Sequence, residues 1–443
     1  MLLNRRPYRT VHAILGLILG VLATGCVEEL ELDSVEEVLE EPLLVVEATL
    51  TDEVGVQQVL LSRSSPRLDL ETDTIYNPFL PFGLGARDSV DDETGAQVRL
   101  RTGSGGVVDF FEAEPGKYLS ETPFGLQSGV EYFLEITRSN GREYTSDPLR
   151  IAGAAGLDRI YAERETNAFG VEGVQIYADA TTLQGDAQRL RYAYEETYKV
   201  IAPFWDENEF RLTNYDPCAL PEPTYTLEIV PREVQNQVCY NTVPSETVVQ
   251  ASLPAGTGNT LQRFPVRFIP RDDFIITHRY SILVRQYVQD ADAFGFFEAL
   301  KRFSQTESLF SQVQPGALTA NMNRSDGTDE NVLGYIEAVS VSAQRIFFNY
   351  DDLFPGEPLP PYPFVCIEHS SPESHVSYCF SGPTGGDDCP QSIIERVNLG
   401  LSTYTGENIN NIGTCPGPYT YVNRVCGDCT LLGENTVPDF WEE

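Results

Sequence analysis

The stretch Val130-Glu131-Tyr132-Phe133-Leu134-Glu135-Ile136-Thr137-Arg138-Ser139-Asn140-Gly141-Arg142-Glu143-Tyr144-Thr145-Ser146 decides the fold class, because two strand patterns flank one turn signal. Tyr132, Leu134 and Ile136 occupy every second position, and successive side chains of a strand point to opposite faces, so one face is apolar. Asn140-Gly141 predicts a tight hairpin in which both central residues take positive φ. Upstream, the same alternation recurs in LLVVEATLTD (43–52), VQQVLLSRS (56–64), GAQVRLRT (95–102), VVDFFEAE (107–114) and GKYLSE (116–121). This run of short strands predicts an N-terminal β-sandwich over residues 43–151, of immunoglobulin-like or transthyretin-like kind. The connection 65–94 is too long for a simple turn and carries Asn77-Pro78-Phe79-Leu80-Pro81-Phe82-Gly83. Phe79 and Phe82 on that proline-stiffened tip are candidate binding residues; the alternative is that both rings fold back onto the protein.

Downstream, QIYADA (175–180), RLRYAYEETYKVI (189–201), TYTLEIV (224–230), FPVRFIP (264–270) and YSILVRQYV (280–288) predict a second, larger β-rich domain over 152–350. Inside it, residues 202–248 are irregular and hold Trp205, a further candidate contact, with Cys218 and Cys239 placed to bridge across an inserted loop. The segment 290–310 is the one amphipathic helix: Phe296, Leu300, Phe303 and, more loosely, Leu309 and Phe310 repeat at three or four residues, a stripe read as core packing. Residues 351–443 form a cysteine-rich C-terminal region, with a proline-dense segment from Pro358 to Phe364, packed on the second domain.

The N-terminus gives an address. Arg5, Arg6 and Arg9 precede an apolar run from Ala13 to Ala23, too short for a membrane span of about 20 residues. Leu22-Ala23-Thr24-Gly25-Cys26 closes it and resembles the lipobox of bacterial lipoproteins, with Ala23 where leucine is usual. Residues 1–25 thus read as a lipoprotein signal peptide, Cys26 as the lipidated cysteine and 26–42 as an acidic tether. Glu28 and Glu29 resemble the acidic export signal of surface lipoproteins in the Bacteroidota. The formal charge of −36 repels nucleic acid and anionic lipid head groups. With Cys26 acylated, the remaining cysteines, Cys218, Cys239, Cys366, Cys379, Cys389, Cys415, Cys426 and Cys429, are even in number, which in an exported chain reads as disulfides.

Further residues carry a resemblance. Leu300-Lys301-Arg302 in the helix, Ala320-Asn321-Met322 followed by Val332-Leu333-Gly334-Tyr335, and the ending Cys426-Gly427-Asp428-Cys429-Thr430 to Pro438-Asp439-Phe440-Trp441 resemble family 4249 of the domains of unknown function, over nearly the whole mature chain. Ala320 departs from the glycine usual before that asparagine. The resemblance implies a lipid-anchored protein of the Bacteroidota outer membrane, often encoded near a TonB-dependent transporter. It implies no activity.

Cys366, His369, His375 and Cys379 have spacings a tetrahedral zinc accepts, but in an exported chain disulfides are the stronger reading. Cys426-x-x-Cys429 has the spacing of a redox pair without the strand-then-helix context such a pair needs. There is no Gly-x-Ser-x-Gly elbow, no phosphate-binding loop and no dinucleotide turn, so no catalytic residue and no cofactor is expected. The expectation is a non-enzymatic, lipid-anchored, cell-surface protein of the outer membrane that binds a partner, a TonB-dependent transporter or its cargo. The alternatives are an exported carboxylate-based hydrolase of an extracellular polymer and an adhesion or envelope-scaffold module.

Overall fold

The computed structural model describes residues 42–64, 91–185, 188–216, 219, 224–253, 260–305, 318, 320–373, 393–409 and 416–443. Cys26, Phe79, Phe82, Cys218, His375, Cys379, Cys389 and Cys415 lie outside them, as do the signal and tether segments. The chain is mainly β. Its first strands are β1 (Leu44–Thr51), β2 (Gln58–Arg63), β3 (Asp91–Asp92), β4 (Gln97–Thr102), β5 (Val107–Glu114), β6 (Lys117–Ser120), β7 (Tyr132–Thr137) and β8 (Glu143–Ser146). Apart from β3, which flanks β2, they lie in the antiparallel order β1-β2-β6-β5-β4-β7-β8. Period two is obeyed where it was read: Tyr132, Leu134 and Ile136 of β7 are buried, as are Leu44, Val46, Ala48 and Leu50 of β1. The β7–β8 hairpin forms with a different turn from the expected one. Gly141 takes a φ of +82° while Asn140 is not among the residues of positive φ. Gly141 N donates to Arg138 O at 2.8 Å and Arg138 N to Arg142 O at 2.9 Å, so a type I-like turn closed by a left-handed glycine replaces the two-residue loop. Arg138 then forks onto the buried Glu93 carboxylate at 2.9 and 2.8 Å.

The strands that follow are β9 (Gly153–Thr166), β10 (Glu172–Gly185), β11 (Arg189–Ile201), β12 (Asn208–Asp216), β13 (Thr224–Pro231), β14 (Val238–Pro244), β15 (Val249–Ser252), β16 (Thr260–Pro270) and β17 (Arg279–Gln289). Helix α1 (Ala291–Gln305), β18 (Met322–Arg324) and β19 (Leu333–Asn349) come next. A sheet ordered β14-β11-β17-β19 faces a second ordered β16-β10-β9, and a large core fills the space between them. β19 also pairs in parallel with β1, so the first sheet runs on into the N-terminal one. The N-terminal core is completed from far downstream by Met322, Val332, Ile336 and Ala338, while β18 extends the sheet beyond β8. Gly334 permits the junction: at φ +91° its missing Cβ would stand 2.1 Å from Val46 O. Where β9 crosses β19, side chains replace a ladder. Ser340 Oγ donates to Gly153 O at 2.7 Å and Ser342 Oγ to Ala155 O at 2.9 Å, and Gln344 Nε2 donates to Leu157 O.

Helix α1 covers the opposite face of β11, β17 and β19, and the expected positions 306–310 lie outside the described residues. Under it sits a polar centre. Glu337, almost fully buried, takes hydrogen bonds from Thr49 Oγ1 at 2.8 Å and Gln289 Nε2 at 2.8 Å and pairs with Arg191. Phe297 and Tyr287 stack on the Arg191 guanidinium at 4.6 and 4.4 Å, and Phe296 stacks on Tyr335 at 4.9 Å.

The remaining elements are α2 (Tyr350–Leu353), β20 (His369–Ser371), α3 (Ile393–Asn398), β21 (Ser402–Glu407), β22 (Tyr419–Asn423) and α4 (Arg424–Gly427). The small sheet β20-β22-β21 packs with the β12–β13 hairpin through Phe210, Leu212, Tyr421 and Ile394. One disulfide, Cys239 to Cys429, fastens this region to β14 of the larger body, and a second, Cys366 to Cys426, closes within the region, with Cα separations of 5.6 and 5.7 Å. The expected Cys218–Cys239 bridge is therefore corrected, because the bridge between Tyr240 and Glu434 lays the last turn of the chain against β14 and brings Cys429 to Cys239. Cys426 and Cys429 bond to different partners, so they do not form a redox pair. Cys366 is consumed in the same way, which removes a thiolate from the zinc alternative, and His369 instead lies beside the Tyr421 ring.

Candidate functional site

Among the described residues, a broad concave surface is organised by the proline-dense segment. Buried Phe354 ends the short α2 turn, Gly356 reverses the chain at φ +72°, and residues 358–361 then run as Pro-Leu-Pro-Pro. Proline has no N–H to give to a ladder and a fixed φ, so this strap crosses the surface outside every sheet and loses little entropy on contact. Its base is pinned by charge. Arg271 pairs with Glu357 at 2.9 Å and Glu172 at 3.3 Å, and Arg164 reaches the same two carboxylates, with 2.6 Å to Glu357. Tyr350 OH donates to Pro358 O at 2.9 Å.

The strap divides three hollows. One of about 400 Å³ is lined by Val171, Glu172, Arg271, Asp272, Tyr350 and residues 358–361. The others, of about 280 and 250 Å³, share Lys199, Ile201, Thr277, His278 and Leu359. Leu359 lines all three and is 54% exposed, and Phe169, at the tip of the neighbouring β9–β10 turn, is 91% exposed. His278 is held below its usual pKa by burial, then by the Lys199 ammonium, which Glu443 anchors at 3.0 Å. Burial also raises the Asp273 carboxyl, although its oxygen accepts from Ile275 N at 3.2 Å. On the same strand as Lys199, Glu196 is tied to Arg267 at 2.9 Å and to the Tyr280 hydroxyl. The arrangement suits an extended apolar segment lying along the strap, with Lys199, His278 and Arg279 beside it to meet acceptors.

Among the sequence candidates, Trp205 is half-buried: its ring packs on the main core and Nε1 donates to Asn236 Oδ1 at 2.9 Å. His278, Thr277 and Arg271 were missed because they stand in the irregular link from β16 to β17, where no period marks them. Proline density was the one signal at the strap. Among the described residues no cluster of three or more His, Cys, Asp or Glu is placed to hold a metal ion.

A crystal structure of a DUF4785 family protein from Legionella pneumophila subsp. pneumophila str. Philadelphia 1 is similar at 11% identity over 54% of this chain and 51% of that one, with a TM-score of 0.15. The chain thus spans about half the length of that protein, and the likeness is too slight to carry an argument. No curated protein matches the chain. A family model for a domain of unknown function (DUF4249) matches residues 27–345, stopping short of the Cys426 to Trp441 ending that the resemblance included. On that match the chain belongs to the DUF4249 family.

Proposed function

We propose that this chain is a lipid-anchored binding protein of the Bacteroidota outer membrane, displayed at the cell surface, which holds a TonB-dependent transporter or its cargo against the strap of residues 358–361. The observation that carries the reading is Leu359: an exposed apolar side chain on a proline-stiffened crest between three hollows, held in place before any partner arrives. Glu172 and Glu357, at the base of the strap, share the Arg164 and Arg271 guanidinium groups, which makes this carboxylate pair a structural clamp. Among the described residues no helix is long and apolar enough to cross a membrane, and the anchor invoked is acyl chains on Cys26.

Two measurements test this. Metabolic labelling with palmitate is expected to mark the protein and to lose the mark in Cys26→Ala. Co-purification in mild detergent is expected to retain a transporter with wild type and with Val234→Asp, an exposed site elsewhere, and to lose it with Leu359→Asp. Equal retention by both variants overturns the role given to the strap.

A further inference from the structure

A smaller and more polar hollow, of about 200 Å³, lies at the seam where the β12–β13 hairpin meets the C-terminal sheet. Arg232, from the end of the hairpin, and Arg424, from α4, both line it. The Arg232 side chain is only 7% exposed; its Nε donates to Asp206 O at 2.8 Å and its Nη1 to Glu209 at 3.3 Å. Arg424 spends its Nε on Asp428 at 3.0 Å. Among the described residues, Arg232 Nη2, both terminal nitrogens of Arg424 and Asn236 Nδ2 have no hydrogen-bond partner. The Ser402 hydroxyl accepts from Arg396 at 2.8 Å and keeps its own proton to give. Four donor groups thus converge on one small space.

The acceptors in the same space are already engaged. Asp428 takes Thr430 N, Thr430 Oγ1 and Arg424, and Glu209 reaches in from the rim, 42% exposed. Burial lowers the Arg232 pKa, against the Glu209, Asp428 and Asp206 carboxylates that raise it, and the like charge of Arg424 adds to the lowering. These donors are open to the hollow, and a planar guanidinium fork answers a planar carboxylate best. Phe210 and Tyr404 supply an aromatic wall, edge to face at 5.3 Å. The volume is below the roughly 300–1,000 Å³ of drug-sized sites, which limits the ligand to the size of one sugar ring or a short acid.

We propose that this seam pocket binds a small organic carboxylate, such as a uronic acid or a short hydroxy acid, with the carboxylate between Arg232 and Arg424 and the body of the ligand against Phe210 and Tyr404. The inference is independent of the strap.

Calorimetric titration of the full mature protein in detergent with galacturonate, malate, galactose and inorganic phosphate tests it. Saturable binding of galacturonate or malate is expected, with galactose and phosphate each weaker by at least about tenfold. Arg424→Gln, at a half-exposed position, is expected to weaken carboxylate binding by a similar factor in a protein that still unfolds cooperatively, and Arg232→Met to abolish it. Whichever acid binds identifies the source. No binding of either acid up to roughly 10 mM, phosphate binding as tightly as the acids, or affinity unchanged in Arg424→Gln overturns the assignment.

Discussion

His278 joins the strap hollows to the pH of the surroundings. Its folded-state pKa lies below the ordinary 6.5, through burial and Lys199. Near and below pH 6.5 the unfolded chain therefore takes up a proton that the folded chain resists, so stability is full above that pH and falls as pH drops through it. The slope is at most about 1.4 kcal/mol per pH unit, the limit for one proton. In His278→Gln, denaturant melts between pH 5 and 7 are expected to lose this part of the slope. The Arg191–Glu337 pair has a larger stake, since its side chains are 12% and 2% exposed. Glu337→Gln leaves Arg191 charged and unpaired beneath α1 and is expected to cost about 3–5 kcal/mol in urea unfolding. The double variant Arg191→Met, Glu337→Leu is expected to recover part of that loss, because two burdens of desolvation disappear together.

At the scale of elements, the local patterns were legible and the encounters between distant segments were not. Alternation in Tyr132-Phe133-Leu134-Glu135-Ile136 determines which face of β7 is buried, and a neighbouring strand changes nothing in that argument. The turn at Asn140-Gly141 was legible as a hairpin but not as a type, since the geometry depends on how Arg138 and Arg142 pair. Nothing near Val45 or Leu333 announces that β1 and β19 lie side by side in parallel. Gly334 was visible in sequence only as part of a resemblance; its reason is the carbonyl of Val46. Gly334→Ala must move that strand or its neighbour, and thermal unfolding is expected to reveal a loss of about 2 kcal/mol or more. Cys239, Cys366, Cys426 and Cys429 were legible as bridged but not as pairs, and the Cys239–Cys429 pairing is set by where the segment around Glu434 docks on β14. The strap was marked in sequence only by its proline density, and the way Arg232 meets Arg424 at the seam pocket appears only once the chain is folded.

For the whole molecule, β1 is completed by β19, so the sheet cannot form in full until most of the chain is present. Contacts of such long range slow folding. The proposed reading, a protein that holds a partner against the strap of residues 358–361, is a claim at this scale. The measurement that tests this most directly is photo-crosslinking in intact cells from a reactive side chain introduced at Leu359, with position 234 as the comparison. The account predicts crosslinks from position 359 to an outer-membrane transporter and none from position 234. Crosslinks absent at 359, or equal at both positions, would contradict it.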